Sequence, residues 1–226
     1  AGNLKLDGSL VLQAQGDGPI ALMVVECTSQ FEIRATATLR EDAVIPEDAT
    51  LQTLLNTYDN GRFIVVLEPK PGTDMQPYQG IVPLQGDNLA EVLENYMKHS
   101  EQLDTKIFLA ADAHKANGLL LQRLPGTGGS IEGTEAPEEP SWERAQQLAQ
   151  TIKNEELLEL PAAELIHRLF WQEDLLQLEP TALQWHCPCT RERVADMLQM
   201  LGREEIESIL TEQEYIEVAC NFCGKP

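Results

Sequence analysis

Apolar and polar residues alternate through the first half of the chain, then take the three-and-four spacing of helices. Leu4, Leu6, Leu10 and Leu12 open the alternation, G-D-G-P at 16–19 turns the chain, and I-A-L-M-V-V-E returns after it. F-E-I-R-A-T-A-T-L at 31–39 alternates cleanly, which puts one side chain in two on each sheet face. R-F-I-V-V-L-E at 62–68 and Y-Q-G-I-V-P-L at 78–84 read as a strand pair joined by P-K-P-G-T-D. Asn88 is placed to cap a helix carrying Leu89, Val92, Leu93 and Tyr96. T-K-I-F-L-A at 105–110 and G-L-L-L-Q-R-L at 118–124 supply two more strands. Residues 1–125 are therefore expected to form an α+β domain with antiparallel sheets. Q-G-D occurs at 15–17 and again at 85–87, ending a strand each time. Aspartate in such turns is expected to cap its own backbone.

The pattern breaks at 126–140, an acidic Gly/Pro-rich stretch with the composition of a loop or linker. Helical spacing follows over 141–180. Trp142, Ala145, Leu148, Ala149 and Ile152 share one face; Leu157, Leu158 and Leu160 come next; Pro161 begins a helix carrying Leu165, Ile166, Leu169 and Phe170. These faces need an apolar surface to cover, most simply the strand domain. In 181–226, Thr190 can cap a helix with Val194, Met197, Leu198 and Leu201 on one side, and Gly202 stops it. Ile206, Ile209 and Leu210 predict a second short helix, and Tyr215, Ile216 and Val218 a short strand.

Candidate chemistry concentrates at the end. Four of the five cysteines stand in two tight pairs, Cys187 with Cys189 in H-C-P-C-T-R, and Cys220 with Cys223 in C-N-F-C-G. Two close pairs joined by a structured segment are what a tetrahedral Zn²⁺ site needs. Gly224 can take the positive φ that turns backbone N–H groups toward a thiolate. The C-x-C sulfurs are close enough to share a metal ion and close enough to be oxidised to each other. A module of about 40 residues seldom holds together by burial alone and needs a metal or disulfides. A static structural zinc site, two structural disulfides and a thioredoxin-like redox motif all remain open on spacing alone. His186 touches the motif, but four thiolates already fill a tetrahedral site. Cys27 stands alone in an apolar strand and is assigned no role.

Charge narrows the partners. The formal net charge of −21 over 226 residues argues against a phosphate backbone or an anionic membrane surface as partner. It would keep a protein soluble while apolar surface is exposed. No apolar run approaches the ~18–20 residues of a membrane span. No phosphate-binding glycine loop, H-E-x-x-H or Ser/His/Asp arrangement stands out, so no catalytic residue is proposed.

C-P-C-T-R-E-R followed by C-N-F-C-G resembles the signature of the heat-shock protein 33 family, the redox-regulated holdase chaperones. V-L-Q-A-Q-G-D-G-P-I at 11–20, Y-Q-G-I-V-P-L-Q-G-D at 78–87, Y-M-K-H-S-E-Q-L at 96–103, G-L-L-L-Q at 118–122 and T-I-K-N-E-E-L-L-E-L-P at 151–161 are similar to blocks of that family, in the same order. The resemblance implies an antiparallel-sheet N-terminal domain, a helical linker region and a small C-terminal zinc-binding redox-switch domain. It implies one Zn²⁺ per chain in the reduced state, on Cys187, Cys189, Cys220 and Cys223. On oxidation it implies the disulfides Cys187–Cys189 and Cys220–Cys223, loss of zinc, and ATP-independent capture of unfolding client proteins. The clients would pass to ATP-driven chaperones, and the active form would be a cytoplasmic homodimer that is no enzyme. No motif names the residues that contact clients. A constitutive zinc-stapled interaction module is the alternative. The family's N-terminal helical segment and the stretch beyond the last cysteine are expected to lie outside this chain.

Overall fold

A computed structural model describes residues 7–73, 75–124 and 139–225. Leu4 and Leu6 of the opening alternation, and nearly all of the acidic loop at 126–140, lie outside these residues. The period-two segments form six strands in order: β1 (Gly8–Gln15), β2 (Ile20–Thr28), β3 (Glu32–Leu39), β4 (Arg62–Pro69), β5 (Tyr78–Pro83) and, much later, β8 (Gln184–Trp185). They make one sheet in the order β5-β4-β1-β2-β3-β8. Every pairing is antiparallel except β3 with β8, which is parallel. β6 (Thr105–Ala111) and β7 (Ala116–Gln122) form a separate antiparallel pair.

One core lies against the face that carries Leu10, Leu12, Ala14, Phe63, Val65 and Val82. Two helices close it. α1 (Leu51–Leu55) contributes Leu55, and α2 (Leu89–His99) contributes Val92, Leu93, Tyr96 and Met97. Phe63 and Tyr96 meet edge to face, with ring centroids 5.9 Å apart. α2 starts as expected, with Asn88 Oδ1 accepting from the Glu91 amide at 3.0 Å. α1 was not legible in the sequence; five residues are too few for periodicity. It forms because Thr50 and Thr53 cap one another, amide to hydroxyl in both directions.

The Gly16 turn explains why a glycine stands there. A Cβ at Gly16 would lie 1.4 Å from the Leu55 carbonyl oxygen, and the Asp17 amide donates to that same oxygen at 3.0 Å. Asp17 does not merely cap its own turn, as expected. Its carboxylate accepts from the Tyr58 amide and the Asn60 side chain, tying the turn to the chain after α1.

A second core is built on β6 and β7. α3 (Glu139–Ala149), α4 (Asn154–Glu159) and α5 (Ala162–Phe170) supply Ala149, Leu157, Leu165, Leu169 and Phe170, which pack with Ala110, Phe108, Leu119 and Leu121. The helices thus cover the hairpin, not the six-stranded sheet. The reason is physical: α1 and α2 already fill the sheet's core face, whereas a two-stranded hairpin is marginal without a covering layer. Glu94 joins the two cores. From α2 it accepts from the Ile107 amide at 2.8 Å and pairs with Lys106 at 2.7 Å, both on β6.

Helix stops at Phe170, short of the expected 180. Residues 171–183 have no regular structure and expose Trp171, Leu175, Leu176, Leu178 and Leu183. The expected strand at 215–218 is also absent; those residues run irregularly toward Cys220. No helix among the described residues is long and apolar enough to cross a membrane.

Candidate metal centre

The C-terminal module is assembled from two turns and two helices. β8 delivers His186 and Cys187. Thr190 then caps α6 (Arg191–Leu201), its hydroxyl accepting from the Arg193 amide at 3.3 Å, and Gly202 ends that helix at φ 89°. α7 (Arg203–Glu212) follows directly. The second turn closes through the Gly224 amide on the Cys220 carbonyl (2.8 Å) and the Cys220 amide on the Lys225 carbonyl (2.9 Å). Gly224 sits at φ +67°, the left-handed conformation its position called for.

The four sulfurs of Cys187, Cys189, Cys220 and Cys223 converge, all within 4.8 Å of one another, and all four residues are half-buried free thiols. The close approaches run between the turns: Cys187 to Cys220 is 3.5 Å and Cys189 to Cys223 is 3.3 Å. A tetrahedron with arms of about 2.3 Å has edges of about 3.8 Å, so these sulfurs span the size of a zinc–thiolate centre. The thiols differ in acidity. The Cys220 thiol is lowered to about 6, because the backbone N–H groups of Cys223 and Phe222 donate to its sulfur. Cys189 is pushed up to about 12 by hydrogen bonding to Cys223 and Cys187, with burial adding to it. The turn thus favours a thiolate at Cys220 and its neighbours a proton on Cys189. His186 is not part of the cluster; its Nδ1 lies 4.0 Å from Glu32. Cys27 is remote, in β2, paired in register with Leu10 and Ile33.

Little else holds the module. Neither α6 nor α7 contains a buried residue, and Met200 is 82% exposed. Its anchorage runs to β3. The Gln184 amide donates to Phe31 and the His186 amide to Ile33, at 3.1 and 3.0 Å. Thr36 Oγ1 donates to the Asn221 carbonyl at 2.6 Å, and the Arg34 guanidinium lies 4.2 Å from the centre of the Phe222 ring. Asn221 and Phe222 are the two residues between Cys220 and Cys223. Its direct anchorage among the contacts described is thus to the sheet. No sequence pattern announced Arg34 or Thr36, because their role depends on a partner far along the chain.

A protein with this sheet domain, helical layer and four-cysteine centre belongs to a definable class, an α+β protein with a candidate metal module at its C-terminal end. The Hsp33 protein family matches residues 1–226, and the chain belongs to that family. It is 44% identical over 225 residues to the 33 kDa chaperonin of Methylobacillus flagellatus, covering 99% of this chain and 72% of the relative. It is 45% identical over 223 residues to the 33 kDa chaperonin of Neisseria gonorrhoeae, covering 99% and 70%. The crystal structure of the 33 kDa chaperonin of Thermotoga maritima, a heat shock protein 33 homolog, superposes with a TM-score of 0.75 over 98% of this chain and 74% of that one. At 22% identity it shows a shared fold.

Proposed function

We propose that this chain is a redox-regulated, ATP-independent holdase chaperone. It binds unfolding proteins under oxidative stress and acts by capture, not catalysis. The observation that carries this reading is the convergence of four cysteine sulfurs within 4.8 Å in a module whose helices bury no residue. Such a module depends on its centre for its fold.

In the reduced state Cys187, Cys189, Cys220 and Cys223 hold one Zn²⁺, which when bound keeps the thiolates deprotonated and staples the module. Thiolates are the species that oxidants attack. One peroxide takes two electrons from two thiolates; the O–O bond breaks, an S–S bond forms, and two protons complete two waters. Two such events give Cys187–Cys189 and Cys220–Cys223 and leave no donor for the ion. These disulfides close only short loops and restrain the chain little. The module then loses its fold, and apolar surface becomes available to clients. Clients pass to ATP-driven chaperones, the active form is a homodimer, and the protein works in the cytoplasm.

The test follows zinc release during peroxide treatment in the same tube as light scattering by an unfolding client. The expected result is suppression of scattering only after zinc leaves, reversed by dithiothreitol with zinc. Zinc that stays bound, or leaves with no gain in protection, would reduce the cysteines to a constitutive staple of an interaction module.

A further inference from the structure

Among the described residues the last long strand of the sheet is β3, and β8 covers only part of its outer edge. β8 pairs with Glu32 and Ile33 and goes no further. Backbone groups of successive strand residues point to opposite edges. Since Phe31 and Ile33 accept from β8, the outward set continues with Ala35, Ala37 and Leu39, while Arg34, Thr36 and Thr38 bond β2. Ala35, Ala37 and Leu39 are exposed. Edge strands are ordinarily protected by charge, proline or a bulge. A-T-A-T-L at 35–39 has none of these along its outward edge.

The cysteine module lies beside this edge, on the sheet face away from the core. Its C-N-F-C turn lies on Arg34 and Thr36, and its leading segment is β8. Losing the module would remove β8 from Glu32 and Ile33 and join that stretch to the edge already open from Ala35 to Leu39.

We propose that this edge is a docking rail for one extended segment of an unfolding polypeptide, which takes the place of β8 and adds to the sheet as a strand. The proposal rests on the redox-holdase reading and gives it a surface. The occupant's chemistry follows from the two faces. On the core side an added strand meets Ile33, Ala35, Ala37, Leu39 and Val25, which is 43% exposed. On the other side it meets Arg34, Thr36 and Thr38. The fitting segment alternates apolar and polar residues, and backbone hydrogen bonds let it do so with little regard to sequence. β8 is the chain's own instance of such a segment, already seated on the neighbouring residues.

The experiment uses the whole chain, oxidised and zinc-free, with two probes: a fluorescein-labelled peptide of alternating valine and threonine, and guanidine-unfolded luciferase followed by light scattering. Ala37→Pro removes an outward N–H without touching a bond to β2. Ala35→Lys with Ala37→Lys keeps every backbone group and adds edge charge, a second route should the proline disturb the sheet. Both variants should release zinc under peroxide like the parent, yet bind peptide about tenfold more weakly, the effect of a lost hydrogen bond and a blocked edge. Ala35 and Ala37 amides should exchange more slowly in the peptide complex. Unchanged peptide binding in both variants, or edge amides protected by self-association without peptide, would overturn the rail. If the parent protects luciferase and the variants do so equally, the rail alone fails. If the oxidised parent protects nothing, the chaperone reading fails with it.

Discussion

Phe222 lies beneath the guanidinium of Arg34, 4.2 Å from ring centre to Cζ, so the residue between two candidate metal ligands is also the residue that grips the sheet. Arg34 is itself held in place by Glu26, Nε to Oε2 at 2.6 Å. Phe222→Ala should leave the four sulfurs together but loosen the module. A half-exposed cation–aromatic contact is worth about 0.5–1 kcal/mol, or about two- to fivefold in an equilibrium. Peroxide-driven zinc release should quicken by that factor. An unchanged rate would mean that docking and metal retention are independent.

Chelation should melt one part of the protein and spare the rest. Stripping the ion removes apparent folding free energy of about 10–16 kcal/mol for a structural site, and α6 and α7 have no buried residue to replace it. Cys220→Ser should do the same without a chelator. Helical circular dichroism is expected to fall by the share of those two helices, while Phe63 and Tyr96 stay protected in the first core. Full helicity without metal would show that the module folds by packing.

Oxidised protein should contain Cys187–Cys189 and Cys220–Cys223, although the reduced structure brings Cys187 to Cys220 and Cys189 to Cys223. Once the first disulfide has formed, the turns separate, and the nearest thiol along the chain wins by effective concentration. Peptide mapping decides this. Disulfides between the turns would restrain a long loop and keep the module compact, contrary to the proposed switch.

Asn117 fastens the helical layer to its hairpin. Its Nδ2 donates to the carbonyls of Leu157 and Leu158, at 2.9 and 3.3 Å. Asn117→Ala is expected to cost about 1–2 kcal/mol. Amide exchange should speed up across 154–170 and stay unchanged in the six-stranded sheet.

Asp112 should make the hairpin sensitive to acid. Its carboxylate accepts from the His114 and Lys115 amides, at 2.6 and 2.7 Å, and these bonds hold its pKa below the ordinary carboxylate value. A depressed acid stabilises the fold fully above its unfolded pKa. That contribution fades as the pH falls through the lowered folded value. Asp112→Ala should destabilise the hairpin at neutral pH and flatten its response below about pH 4; an acid titration by amide exchange at β6 and β7 measures both.

The strands from β1 to β7 were legible because each faces a core on one side, which favours alternation or short apolar runs in the sequence. The helices of 141–170 were legible for the matching reason, and the cysteine pairs because metal chemistry demands their spacing. α1 and β8 were not. α1 rests on reciprocal capping by Thr50 and Thr53, and β8 exists only because Gln184 and Trp185 meet β3. The helical layer was expected to cover the strand domain and does so, but its choice of the β6–β7 hairpin over the six-stranded sheet was hidden, since an amphipathic face declares that it needs a partner without naming the surface.

Thr36 and Asn221 stand 185 positions apart in the chain, whereas Cys187 and Cys220 are 33 apart. The centre is therefore assembled across a much shorter stretch of chain than its seat on the sheet. Local contacts form quickly, and distant ones wait on a search through the rest of the chain. Recovery after stress thus has two clocks. On the proposed reading, a molecule that has regained its reduced cysteines and its metal stays unseated for a further interval.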